Sequence, residues 1–91
     1  MKLNYHADPE IRFAIADIGR TEDIMFSPSN RRLAVAGFGH NVVLVADVDI
    51  DLDRAPSPII FTGCVSMSCR EFDYPHGLSW LDEQTLVVGN R

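Results

Sequence analysis

The stretch "DIMFSPSNRRLAVAG", which runs from Asp23 to Gly37, decides how the rest of this sequence is interpreted. It begins with a short apolar strand, continues through Pro28, Ser29 and Asn30, and ends in a second strand. Those three residues are of the types that tight turns select. The second strand is apolar at nearly every position, so it must be covered on both faces. We therefore expect a layered β-structure with another element packed on each side of this strand.

Two further strands are predicted on the C-terminal side of this stretch. The β-branched segment 41–50 predicts a third strand, and segment 59–67 predicts a fourth after the proline-rich loop 51–58. Gly39 is expected to supply the positive φ angle in the turn before the third strand.

The segment before Asp23 fits two alternatives. Asp8 as the cap, Pro9 at the first position and Gly19 just past the end favour a helix. The apolar positions of that helix are Ile11, Ala14, Ile15 and Ile18. A strand is also possible, because apolar residues alternate at positions 11, 13 and 15. The pattern alone leaves both open.

The C-terminal stretch "HGLSWLDEQTLVVGN" repeats the pattern of the opening stretch. Phe26 and Trp80 hold equivalent places 54 residues apart, and Leu33 and Leu86 hold equivalent places 53 residues apart. Each copy has an aromatic residue, a polar turn, a leucine, a run of small or β-branched residues and then a glycine. A repeat unit of roughly 40–50 residues with four short strands is the size of a β-propeller blade.

These residues carry a resemblance to a known group of proteins. "DIMFSPSNRRLAVAG" resembles the first two strands of a blade in WD-like and lactonase-like β-propellers, and "YPHGLSWLDEQTLVVGNR" is similar to the same element of a following blade. "PHGL" followed by an aromatic residue, an acidic turn and "LVV" is similar to propellers of the NHL and lactonase-like groups. The Trp-Asp dipeptide of WD blades is absent from the third strand, which carries "VADVD".

The resemblance implies an all-β fold made of antiparallel, four-stranded propeller-type blades. Residues 1–22 are then an N-terminal segment, residues 23–72 a complete blade, and residues 73–91 the first two strands of another. A closed propeller needs at least four blades, and repeat units cannot bury their faces alone. The sequence therefore leaves three alternatives: a fragment of a longer protein, a chain that associates with itself, or a small sheet protein that only resembles blades.

Composition excludes several classes of function. The chain of 91 residues has 46% hydrophobic and 23% charged residues, which is ordinary for a globular domain. Its net charge of -5 disfavours binding to nucleic acid. The N-terminus has no apolar signal sequence, and no apolar run approaches a membrane span, so we expect a cytoplasmic protein without a membrane partner.

Metal-binding and cysteine chemistry are not expected to define this chain. Four aspartates alternate with apolar residues in "DVDIDLD", which predicts a solvated strand face rather than a calcium site. Those aspartates are Asp47, Asp49, Asp51 and Asp53. Cys64, Cys69 and His76 are too few and too loosely spaced for a structural zinc site. Two free thiols are expected, although a turn between the cysteines could bring them together. No metal and no cofactor are predicted.

His76 and Asn90 are the candidate ligand-binding residues. The resemblance to lactonase-like propellers implies this, because such positions border the central channel in those proteins. His76 lies in "PHGL" at the start of a strand, and Asn90 ends the last predicted strand. His40 is expected to be an exposed turn residue. No catalytic constellation is visible in the sequence, so an enzymatic role stays open.

The expected function is that of a binding or scaffold module. A partial propeller would complete its apolar packing with further blades, with copies of itself or with another protein partner. The alternative is a fragment of a metal-dependent, lactonase-like propeller hydrolase.

Overall fold

The structure is a computed structural model that describes residues 4–91. The described chain is mostly β, with one short α-helix and two sheets. The strands are β1 (Tyr5–Ala7), β2 (Thr21–Phe26), β3 (Arg32–Gly37), β4 (Val42–Ile50), β5 (Ile59–Met67), β6 (Pro75–Asp82) and β7 (Thr85–Asn90), and the helix is α1 (Pro9–Asp17). The predictions of strands on both sides of the 28–31 turn, over 41–50 and over 59–67 are confirmed, as is the second strand pair after residue 74.

The larger sheet has the order β1-β5-β4-β3-β2. Strands β2 to β5 form an antiparallel meander, in which each strand pairs with the next one along the chain. The prediction of a purely antiparallel, four-stranded sheet is wrong in one respect: β1 adds a fifth strand, parallel to β5. The reason is that the outer edge of β5 has free amide and carbonyl groups, and the three residues of β1 pair with them.

Local turn chemistry explains the hairpin of β2 and β3. Asn30 takes a left-handed conformation with a φ of 62°, which asparagine tolerates better than most residues. Ser27 is buried, and its hydroxyl accepts a hydrogen bond of 3.1 Å from the amide of Arg32. The next turn departs from the prediction, since Asn41, and not Gly39, has the positive φ there.

The N-terminal segment forms a strand and then a helix. Pro9 occupies the first turn of α1, and Gly19 follows the helix with a φ of 77°, as the helical alternative predicted. Asp8 stands at the cap position but makes no capping hydrogen bond through its side chain. The strand alternative for residues 11–15 is wrong: Ile11 is buried, whereas Phe13 is 79% exposed.

The acidic segment does not form one continuous strand face. β4 ends at Ile50 and β5 begins at Ile59, so the predicted loop over 51–58 is confirmed. Asp51 and Asp53 lie in that loop, and the prediction that places them on a strand face is wrong. The loop turns because the Asp51 amide donates to the Pro58 carbonyl at 2.8 Å. Asp49 remains on the strand, and its carboxylate lies 2.9 Å from the guanidinium of Arg54.

The larger sheet has apolar clusters on both faces. One cluster contains Ile18, Leu33, Val35, Leu44, Ala46 and Val48, and the other contains Ala34, Ala36, Val43 and Leu78. β3 contributes alternate residues to the two clusters, which explains why its sequence is apolar at successive positions. The expectation that this strand is covered on both faces is confirmed.

Within residues 4–91, no helix is long and apolar enough to cross a membrane.

Candidate interaction surface

The two β-hairpins have the same internal register. In the first hairpin (β2 and β3), Ile24 pairs with Val35, and in the second hairpin (β6 and β7), Leu78 pairs with Val88. In each hairpin the pairing register also shifts near the start of the first strand, at Glu22 in one hairpin and at His76 in the other. The repeat in the sequence is therefore a repeat of structure.

Each hairpin has two faces, because side chains alternate along a strand. The docking face carries Ile24, Phe26, Leu33 and Val35 in the first hairpin and Leu78, Trp80, Leu86 and Val88 in the second. The receiving face carries Asp23, Met25, Ala34 and Ala36 in the first hairpin and Gly77, Ser79, Val87 and Gly89 in the second.

The second hairpin packs its docking face on the receiving face of the first. Leu78 is 5% exposed and belongs to the same cluster as Ala34 and Ala36, both of which are fully buried. The small alanine side chains let the two layers approach closely, while leucine and tryptophan fill the space between them. The contact therefore combines large side chains on one layer with small ones on the other.

Hydrogen bonds fix the two hairpins in a parallel stack. The amide of Leu78 donates to the Asp23 carboxylate at 2.9 Å, and the indole of Trp80 donates to the carbonyl of Met25 at 3.0 Å. Each of these contacts joins nearly equivalent positions of the two hairpins, 55 residues apart. Unlike apolar packing, such bonds specify one register between the layers.

The turns of the two hairpins also meet. The guanidinium of Arg32 donates to the carbonyl of Glu83 at 2.8 Å, and the amide of Ser29 donates to the Glu83 carboxylate. Partial burial by itself raises the pKa of Glu83. Hydrogen bonds from Ser29 and the Ser27 hydroxyl, together with the charge of Arg32, nevertheless hold the pKa below its ordinary value of 4.5.

Replacing Glu83 with glutamine is expected to remove a pH-dependent part of the stability. Because the folded pKa is lowered, the ionised side chain stabilises the fold above pH 4.5, and that contribution is lost as the pH falls through the folded pKa. Urea unfolding between about pH 6 and about pH 3 should therefore show wild type and Glu83→Gln converging in acid. Glu71→Gln, at an exposed carboxylate, is the matched control. A difference between wild type and Glu83→Gln that does not change with pH would contradict this assignment.

The docking face of the first hairpin is open along β2 and covered along β3. Ile24 is 59% and Phe26 42% exposed, whereas Leu33 and Val35 are buried. Ile15 and Ile18 of the N-terminal segment pack beside the buried part and leave a cavity of about 430 Å³ that opens towards Ile24. Ile50 and Leu52 extend the exposed apolar surface beyond Phe26. Open apolar areas of this kind are typical of surfaces that contact another molecule.

His76 lies at the end of the stack opposite the turns. Its imidazole is 3.7 Å from the carboxylate of Glu22, and half of its side chain is exposed. The other oxygen of Glu22 lies 2.9 Å from the guanidinium of Arg20. The two register shifts thus bring an imidazole and a largely buried carboxylate together at the start of the two equivalent strands.

Asn90 lies beside His76 across the second hairpin, since it pairs with Pro75. Its amide oxygen accepts from the amide of Asp73 at 3.0 Å, and its amide nitrogen donates to the carbonyl of Glu71 at 2.8 Å. Both polar groups of the side chain therefore hold the loop that precedes β6. This arrangement positions the strand on which His76 lies.

Other predicted polar residues lie apart from this surface. Cys64 is half-buried in β5, Cys69 is exposed in the loop that follows, and both are free thiols. His40 is exposed, as predicted, and its imidazole Nδ1 lies 2.9 Å from the carbonyl oxygen of Asp17. Across residues 4–91, no three His, Cys, Asp or Glu side chains are grouped so that they could hold a metal ion.

Sequence reasoning missed the polar residues that join the two hairpins. The sequence pattern assigns no role to Asp23 or Glu83, although each accepts a hydrogen bond from the opposite hairpin. The repeat itself contains a usable signal: positions 29 and 83 are equivalent turn positions, and an acidic residue faces a serine there.

No family model, no curated protein and no solved structure matches this chain.

Proposed function

We propose that this chain is a partial β-propeller and that it acts as a binding or scaffold module. In this proposal the meander of β2 to β5 is one blade, and the second hairpin is the start of another. The docking face of the first hairpin completes its packing against a further β-unit of the same kind. Blades of a propeller pack in this way, each covering one face of its neighbour.

The observation that carries the proposal is the parallel stack of the two hairpins. Equivalent strands lie side by side with the same register, and the contacts join positions 54 or 55 residues apart. A repeated unit that packs one face on its neighbour leaves its opposite face for the next unit. That opposite face is the one on which Ile24 and Phe26 remain exposed.

The proposal predicts that the open docking face binds an uncharged apolar dye. At protein concentrations of about 1 µM, Nile red fluorescence should rise with wild type and rise less with Ile24→Lys, because a charge at this position disfavours apolar binding. Leu81→Lys is the matched control, since Leu81 is 68% exposed and lies outside the docking face. Equal dye binding by all three proteins would contradict an open docking face.

A lactonase-like hydrolase is the second candidate. The observation that favours it is the meeting of Glu22 and His76, because carboxylate and imidazole groups both bind metals. A catalytic site of that kind needs three protein ligands, and the part of the chain that the structure describes brings together fewer.

We expect no lactone hydrolysis by the purified chain, with or without added divalent cations, because two ligands do not hold a catalytic metal. A colorimetric assay with a short-chain lactone, run with and without a chelator, checks this. Turnover that both the chelator and His76→Ala abolish would favour the hydrolase over the binding module.

A further inference from the structure

We infer that this chain docks head to tail on a second copy of itself. The docking face of the first hairpin in one copy would pack on the receiving face of the second hairpin in the other. This inference rests on the proposed function, and it names the occupant of the open face.

The apolar packing of the internal contact supplies the pattern for the contact between copies. Its two hydrogen bonds have no equivalent there, because Gly77 stands at the place of Asp23 and Phe26 stands at the place of Trp80. Leu78 and Trp80 pack on Ala34 and Ala36 within one chain. Their equivalents in the first hairpin are Ile24 and Phe26, which occupy the same register positions and are exposed. The first hairpin therefore has a docking face like that of the second, and the β2 side of this face is exposed.

The receiving face of the second hairpin is the matching half. Gly77 and Gly89 stand where the first hairpin has Asp23 and Ala36, so this part of the face is even smaller in side-chain volume. Ser79 and Val87, the next pair along the strands, are both exposed. Gly77 and Gly89 leave room for Ile24, as Ala36 leaves room for Leu78. At the level of Phe26, the small Ser79 stands beside Val87, which is larger than the equivalent Ala34.

Such a contact is heterologous, because each copy uses two different surfaces. Heterologous contacts build rings or open chains rather than closed dimers. Only the β2 side of the docking face is free, because Leu33 and Val35 are already buried within the chain, so the contact between copies is smaller than the internal one. We therefore expect weak, concentration-dependent association that proceeds beyond a dimer.

Sedimentation velocity of the full chain, from about 10 µM to about 1 mM, tests the inference. Ile24→Lys alters the docking face, and Ser79→Arg alters the receiving face. Both positions are exposed, so both variants should keep the wild-type circular dichroism spectrum. We expect each variant alone to associate at least roughly tenfold more weakly than wild type, because each places a charge inside an apolar contact.

Mixing the two variants gives the decisive measurement. Ile24→Lys keeps an intact receiving face, and Ser79→Arg keeps an intact docking face, so an equimolar mixture should form a one-to-one complex that grows no further. Both substitutions add positive charge, so the two altered faces cannot attract each other. Phe13→Lys, at a position of α1 that is 79% exposed and belongs to neither face, should associate as wild type does.

The inference is overturned by a wild type that is monomeric throughout this range, by undiminished association of Ser79→Arg, or by the absence of a complex in the mixture. Undiminished association of Ser79→Arg with loss in Ile24→Lys would indicate a symmetric contact between two docking faces instead. If the dye binds at Ile24 while the chain stays monomeric, only the docking of one copy on another is contradicted. If the dye does not bind there, the proposed function fails as well.

Discussion

Replacing Leu78 with alanine is expected to lower the free energy of unfolding by about 2–5 kcal/mol, the largest loss expected from a single truncation in the stack. Leu78 is 5% exposed and contacts the cluster that joins the two hairpins. Its removal leaves a cavity between two sheets, and the fully buried Ala34 and Ala36 have no side-chain length with which to fill it. Urea unfolding followed through Trp80, the one tryptophan of the chain, measures the change at the contact itself.

Leu81→Ala is the matched control for this prediction. Leu81 belongs to the same strand and is the same residue type, but it is 68% exposed. Its truncation should change the free energy of unfolding by no more than about 0.5 kcal/mol. Similar losses for the two variants would show that the second hairpin is not held by Leu78, and the stack would need another explanation.

Replacing Gly37 with alanine is expected to cost about 1–3 kcal/mol, because there is no room for the added methyl group. A Cβ atom at this position would lie 2.5 Å from a methyl of Ile18, 2.6 Å from a methyl of Val42 and 2.9 Å from the Ile18 carbonyl. The backbone carbonyl cannot rotate away as a side chain can. The N-terminal segment would therefore move off the end of β3, and thermal unfolding should occur at a lower temperature.

Gly39→Ala isolates the steric part of this effect. Apart from its own neighbours in the chain, no atom lies within 4 Å of a Cβ at Gly39, and both substitutions restrict the unfolded chain alike. We expect Gly39→Ala to unfold at or slightly above the wild-type temperature. Should Gly37→Ala be as stable as Gly39→Ala, the close packing of Ile18 on β3 would be refuted.

The strands and turns could be predicted because local chemistry specifies them. Alternating and β-branched residues over 42–50 and 59–67 favour extended backbone, and Asn30 suits the turn before β3. The 54-residue equivalence of Phe26 and Trp80 is visible in the sequence and is enough to identify the second hairpin.

The candidate site was harder to predict because it depends on contacts between distant residues. The sequence indicates His76, but its contact with Glu22 depends on the stacking of two strands that lie 54 residues apart in the chain. The sequence indicates Asn90 as well, and the structure gives it hydrogen bonds to Glu71 and Asp73. No local pattern specifies such partners, since they follow from the path of the loop.

The sequence by itself determined strands β2 to β7 and the presence of two equivalent hairpins, but not β1 or the choice between helix and strand before β2. Only the tertiary structure decided which copy of the docking face is covered. Ile24 and Leu78 occupy the same register position, yet one is 59% and the other 5% exposed. The physical reason is that burial is a property of the neighbour as well as of the residue: Leu78 has the first hairpin against it, and the corresponding place beside Ile24 is open.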